Sequence, residues 1–208
     1  MPHQLQTGIT IPVFPLPTTV FYPGIPLPLH IFEPRYREMT ADALEGKRTI
    51  GMILLKPNWE EDYFDKPQIF SAGCVGDIQK VIKHPDGKYN FTLMGLRRFR
   101  IIKEEEGKPY RQAKIELLEE KNEQDIFEDR PNECREKLIE NFRKFIGLIP
   151  EGNSKKKEPD WNLDHKLSGF VDRFAYQLDL SLEQKQNFLE EQDVLKRAKF
   201  LHSFLKMK

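Results

Sequence analysis

The sequence predicts an α+β protein. A closed or nearly closed barrel of short strands over residues 1–120 carries one inserted helix, and an α-helical bundle follows over residues 121–208. Two observations lead there. Up to about Glu120 apolar residues alternate between closely spaced turn signals, and this half holds most of the prolines and glycines. After Lys121 the apolar residues recur three or four positions apart, the helical repeat.

In the first half, Val13, Leu16, Val20, Ile25, Leu27, Leu29 and Ile31 are interleaved with prolines. Proline has no N–H to give a central ladder, so this stretch predicts short, bent or edge strands. Pro34 suits a first helical position, Tyr36, Met39, Ala43 and Leu44 form one apolar face, and Gly46 supplies the stop. Strands resume over 49–55 and 73–81. His84-Pro85-Asp86-Gly87 is a turn signal, after which Tyr89, Phe91 and Leu93 alternate. Two more strands are expected over 99–103 and 110–119, with Ala113, Ile115 and Leu117 alternating in the last. Short strands with such turn spacing suggest a barrel.

In the second half, Cys134, Leu138, Phe142, Phe145 and Ile149 form a helical stripe behind Pro131. Residues 152–160, with three consecutive lysines, read as a solvated linker. Leu163, Leu167, Phe170, Phe174 and Leu178 make a second stripe. Ser181 with Gln184 has the form of a capping box opening a third helix, and Asp193 can cap a last helix whose face is Val194, Ala198, Leu201 and Leu205. Helices with short connections predict a small antiparallel bundle.

Composition narrows the function. Apolar residues make up 38% and charged residues 32% of the 208, enough for a core. Lys plus Arg total 33 and Asp plus Glu total 33, whereas nucleic-acid binders carry a basic excess that neutralises phosphate. Cys74 and Cys134 form neither a CxxC unit nor a disulfide framework, and read as reduced thiols in a cytoplasm. The amino terminus lacks the basic and apolar regions of a secretory signal, and no apolar run approaches a membrane span. His3, His30, His84, His165 and His202 show no ligand spacing, so no metal is expected and no cofactor is called for.

Residues 11–17 (Ile-Pro-Val-Phe-Pro-Leu-Pro), 20–24 (Val-Phe-Tyr-Pro-Gly) and 26–36 (Pro-Leu-Pro-Leu-His-Ile-Phe-Glu-Pro-Arg-Tyr) resemble the opening of the N-terminal, substrate-binding domain of the Lon protease family. Residues 73–78 (Gly-Cys-Val-Gly-Asp-Ile), Asp86-Gly87 through Gly95-Leu96-Arg97-Arg98-Phe99-Arg100, and the region from Leu178 to Leu205 continue that likeness in order. The resemblance implies a PUA-like β-barrel with a helical bundle attached, used to engage polypeptide substrates. No phosphate loop is present, because the glycines before Lys47, Lys88 and Lys108 lack both the preceding glycine and the following hydroxyl. Ser71, Ser154, Ser168, Ser181 and Ser203 show no nucleophile elbow or paired lysine. The chain therefore reads as a stand-alone, non-catalytic form lacking the family's ATPase and peptidase.

Two clusters have bland readings. Glu33 reads as facing the positive end of the helix that Pro34 opens, with Arg35 paired to a nearby acid, rather than as half of an acid–base pair. Arg97, Arg98 and Arg100 read as solvated arginines after a glycine-led turn; RNA binding, suggested by analogy with PUA-like folds, would have to use them. One loop resists such a reading. Residues 56–68 are polar and proline-flanked yet hold Trp59, Tyr63 and Phe64, which form either a packed flap or a peptide-binding surface. The expected partners are unfolded or extended polypeptide segments, in a role such as an adaptor, a chaperone-like protein or the regulatory partner of an ATP-dependent protease in protein quality control.

Overall fold

The computed structural model describes residues 7–62, 66–125, 132–147 and 165–206. The chain is α+β, with a mixed six-stranded sheet and five α-helices among the described residues. It divides into two compact units: Met1–Glu119 with Ser181–Glu190, and Glu120–Leu180 with Glu191–Lys208.

Among the described residues, the first unit holds every strand. These are β1 (Thr10–Leu16), β2 (Pro26–Ile31), β3 (Thr49–Leu55), β4 (Ile69–Lys83), β5 (Tyr89–Glu105) and β6 (Arg111–Leu117), with α1 (Pro34–Glu45) between β2 and β3. The pairings run β5–β4–β3–β1–β6 and return from β6 to β5, closing a circuit, while β2 hangs on β5 alone. All pairs are antiparallel except β1 with β3, which run parallel because α1 carries the chain back to its starting end. Pro26 and Pro28 lie in the ladder opposite Met94 and Thr92. With no N–H to donate to β5, they turn their nitrogens to the edge that β5 does not use.

Inside the circuit the alternation expected for β6 holds: Ala113, Ile115 and Leu117 are buried and their neighbours Lys114 and Glu116 are exposed. They pack with Ile11, Val13, Ile53 and Val75 around Phe99, which is 0% exposed. Gly51 and Gly73 leave space for that ring, since a Cβ on Gly51 would meet it at 3.0 Å and one on Gly73 at 2.8 Å.

Two expected strands, over 89–93 and 99–103, form the single strand β5. Gly95 is not a turn: it lies in the ladder beneath residues 22–25, accepting from Gly24 N at 2.9 Å and donating to Ile25 O at 3.1 Å. A Cβ there would lie 2.1 Å from Tyr22 O, so only glycine allows the approach. Gly76 pairs Gly95 and Val75 pairs Arg97, leaving Leu96 as an extra residue. This bulge turns Leu93 and Phe99 to opposite faces of the sheet although both are odd-numbered and both are buried.

The bulge also accounts for Arg98. It is 2% exposed rather than solvated, and its Nε donates to Leu189 O at 3.0 Å. Leu189 belongs to α4 (Leu182–Glu190), a helix that groups with the strands rather than with the other C-terminal helices. The reason lies in its buried contacts. Gln186 Nε2 donates to Ala72 O at 3.1 Å, Tyr22 Oη donates to Lys185 O at 2.9 Å, and the Tyr22 and Phe188 rings meet edge-on at 5.6 Å. The Ser181–Gln184 capping box is present, each backbone N–H donating to the other's side-chain oxygen at 2.9 and 3.1 Å.

The second unit contains α2 (Glu133–Gly147), α3 (Leu167–Gln177) and α5 (Val194–Lys206), with α5 packed on both α2 and α3. The expected faces are buried: Phe170 and Phe174 on α3, and Val194, Ala198, Leu201 and Leu205 on α5. Asp193 caps α5, its Oδ1 accepting from Leu195 N and Lys196 N at 2.9 and 3.1 Å. Arg197, whose side chain is 0% exposed, lies 2.7 Å from Glu120 and 3.7 Å from buried Asp172, and donates to Glu191 O at 3.2 Å. The expected linker at 152–160 and Leu163 lie outside the described residues.

Two measurements by chemical denaturation check this account. Gly73→Ala should cost about 3 kcal/mol or more, because its Cβ meets Met52 O at 2.3 Å as well as the Phe99 ring. A change within about 0.5 kcal/mol would show that the ring can retreat. Arg197→Met should cost about 3–5 kcal/mol by removing a buried guanidinium that faces the Glu120 and Asp172 carboxylates, and adding Asp172→Leu should recover part of the loss.

Candidate functional site

A groove of about 900 Å³ opens on the strand-rich unit. Its floor comes from the end of β1, where Phe14 packs its ring 4.4 Å from that of Tyr36 on α1. One wall is the β2–α1 junction, where Arg35 lies 3.0 Å from Glu33 and stacks over the Tyr36 ring at 4.6 Å. Glu33 precedes α1 without capping it through its side chain, and Pro34 supplies the first helical turn.

A second wall is the turn between β5 and β6. Gly107 takes a φ of 114°, and Lys108 and Tyr110 reach Asp42 on α1 at 2.8 and 2.6 Å. The hydrogen bonds from Lys108 and Tyr110 hold the Asp42 carboxyl below its ordinary range. Burial, then the bond to Asp42, pushes the Tyr110 hydroxyl well above its ordinary value. Tyr110 is thus a neutral donor that ties the turn to the helix, with no role as a base.

The third wall is the loop after β3. Trp59 opens a 3₁₀ turn (Trp59–Asp62) and lines the groove, half-buried. The neck of this loop is closed by Lys56 N donating to Gln68 O at 2.8 Å. Arg111 donates to Pro67 O and reaches Glu104 at 3.0 Å, and Lys66 reaches the same carboxylate at 3.2 Å. Of the three aromatics expected to bind, Trp59 is therefore at the groove, while Tyr63 and Phe64 lie outside the described residues.

Sequence reasoning missed Phe32, a large apolar side chain that lines the groove while 58% exposed. Its ring stacks 6.0 Å from that of His30, whose Nδ1 lies 2.6 Å from Asn90 Oδ1. A signal was present: Ile31 and Phe32 are consecutive, and on an extended chain only one of two neighbours can face the core. Among the described residues no group of His, Cys, Asp and Glu side chains is placed to hold a metal ion, and no helix is long and apolar enough to cross a membrane. An apolar groove rimmed with polar and charged groups, and with no nucleophile–base pair, is suited to binding.

The family profile for the ATP-dependent protease La (LON) substrate-binding domain matches residues 10–207. The chain is 30% identical over 197 residues to the Lon protease of Dictyoglomus thermophilum and 28% identical over 198 residues to Lon protease 2 of Myxococcus xanthus. These alignments cover 94% and 95% of the chain but 24% of each protease, so the chain spans about a quarter of the length of those relatives. The fold is similar to that of a Lon N-terminal domain protein from Xanthomonas campestris, with a TM-score of 0.68 and 21% identity over 94% of this chain and 98% of that one. It is also similar to the N-terminal domain of a Mycobacterium avium complex Lon protease, with a TM-score of 0.61, 18% identity, and coverage of 95% and 98%. The chain belongs to the Lon substrate-binding domain family.

Proposed function

We propose that this chain is a non-catalytic module that binds unfolded or extended polypeptide segments, acting in the cytoplasm as an adaptor or chaperone-like protein in protein quality control. The observation that carries the reading is the groove: an apolar lining with Phe32 held out to solvent and Trp59 at the rim, on a chain of the substrate-binding family. Large aromatics supply much contact area for little lost rotamer freedom, which suits a surface that must hold varied sequences. We take the closed circuit of strands as a PUA-like β-barrel and the helices of the second unit as its attached bundle. Cys74 and Cys134, which are not joined in a disulfide, fit a reducing compartment.

The RNA reading loses support from the arginine cluster. Arg98 is buried against α4 and Arg97 is engaged by Glu119 at 2.6 Å, which leaves Arg100 as the exposed member of the cluster that no carboxylate is shown to hold among the described residues. The enzyme reading lacks residues, since the sequence has neither a phosphate loop nor a serine in nucleophile context.

Peptide titration and thermal melts test the binding surface. Trp59→Ala and Phe32→Ala should each weaken binding of an unfolded, apolar-rich peptide by about 1–2 kcal/mol. Phe32→Ala should leave stability within about 0.5 kcal/mol, because the side chain is largely exposed. A loss of about 3 kcal/mol in stability for Trp59→Ala with unchanged affinity would instead make the loop a packed flap. Catalysis is tested on the purified chain, which should neither hydrolyse ATP nor degrade casein. Turnover that follows the chain through point mutation would overturn the non-catalytic reading.

A further inference from the structure

The groove carries a charge imbalance that specifies its occupant more closely. Arg35 is paired with Glu33 and Lys108 with Asp42, while Lys66 and Arg111 share the single carboxylate of Glu104, which cancels one of their two charges. Glu60, Glu105 and Glu106 line it too, and among the described residues none of them lies within ion-pair distance of a lysine or arginine. Glu105 accepts a hydrogen bond from Thr10 Oγ1 at 3.0 Å, which cancels no charge, so the four lining cations face six carboxylates once Asp42 and Glu104 are counted, an excess of two. These carboxylates come from separate elements, Glu60 from the turn that bears Trp59 and the others from the end of β5 and the turn beyond it. The whole chain has zero formal net charge, so the excess is local to the groove rather than a sample of an acidic surface.

We propose that the groove selects polypeptide segments whose apolar residues are flanked by lysine or arginine. The inference rests on the polypeptide-binding reading and refines it. Apolar side chains of the segment fill the lining beside Phe32 and Trp59, and the flanking cations meet the excess carboxylates. Lysine and arginine suit both parts, because their methylene stems lie along apolar surface while their heads stay hydrated. Exposed pairs are weak singly, about two- to fivefold each at low salt, so the selection appears as a graded preference that salt erases.

The test uses the full chain and three fluorescent peptides with one apolar core, flanked by lysines, serines or glutamates. Binding anisotropy is read at about 20 mM and about 500 mM salt, where the screening length differs severalfold. The lysine-flanked peptide should bind about tenfold more tightly than the glutamate-flanked one at low salt, with the two converging at high salt. Replacing Glu60, Glu105 and Glu106 together by glutamine should collapse that ordering, while Glu116→Gln, on β6 outside the groove, should preserve it. Equal binding of all three peptides overturns the charge selection and leaves the polypeptide reading standing. Binding of none overturns both. A preference that survives the triple replacement also overturns the proposal, since the selecting charges would then lie elsewhere.

Discussion

The strand-rich unit is organised by the volume of one ring. Phe99 fills the centre of the strand circuit, and the two strands nearest it, β3 and β4, can lie against it only because positions 51 and 73 have no side chain. Closing a sheet on itself brings its inner faces together, and a core so small has no slack: one added methyl must displace either the ring or the Met52 carbonyl. The neighbouring residues are small or branched, as Ala113, Val13, Val75 and Ile115 show, so that the ring and its surroundings fill the same space once. Much of the groove is built on this arrangement, since the end of β1, the loop after β3 and the β5–β6 turn all leave the same circuit.

Much of this was legible in the sequence where the signal is local. The alternation at Ala113, Ile115 and Leu117, the helix behind Pro34, the turn at Gly87 and the capping box at Ser181 depend on neighbours within a few residues, and each stands where the pattern put it. What was not legible depends on partners far along the chain. Gly95 carries the look of a turn residue, but its glycine is required by the backbone of Tyr22, which arrives from seventy residues upstream. Arg98 looks solvated because nothing nearby covers it; its cover is α4, whose Leu189 carbonyl lies ninety-one positions away. The grouping of α4 with the strands is the same fact seen from the helix, because an amphipathic repeat shows that a face is buried without showing what buries it.

The groove shows the same division. Trp59 stood out because an aromatic residue in a polar, proline-flanked loop has no reason to be there as a strand or helix residue. Phe32 escaped notice among other apolar residues, and the carboxylates of the β5–β6 turn looked like ordinary solvated charges. Their meaning comes from convergence: segments scattered from Phe14 to Arg111 meet only after the strands pair. The ties that fix them are polar, with Glu104 gathering Lys66 and Arg111 at one wall and Asp42 gathering Lys108 and Tyr110 at another. With these cations engaged in structural ties, the carboxylates around the groove outnumber them by two.

The prolines of β2 bear on what happens to a bound chain. An open sheet edge normally offers alternating donors and acceptors to any extended segment, and that is how strands recruit strands into fibrils. On the outer edge of β2, Pro26 and Pro28 offer carbonyls with no N–H between them, so an incoming backbone finds half of its partners missing. A strand laid along this edge would find the two carbonyls but no N–H to accept from at those positions, so a regular ladder, and with it a template for further copies, is disfavoured.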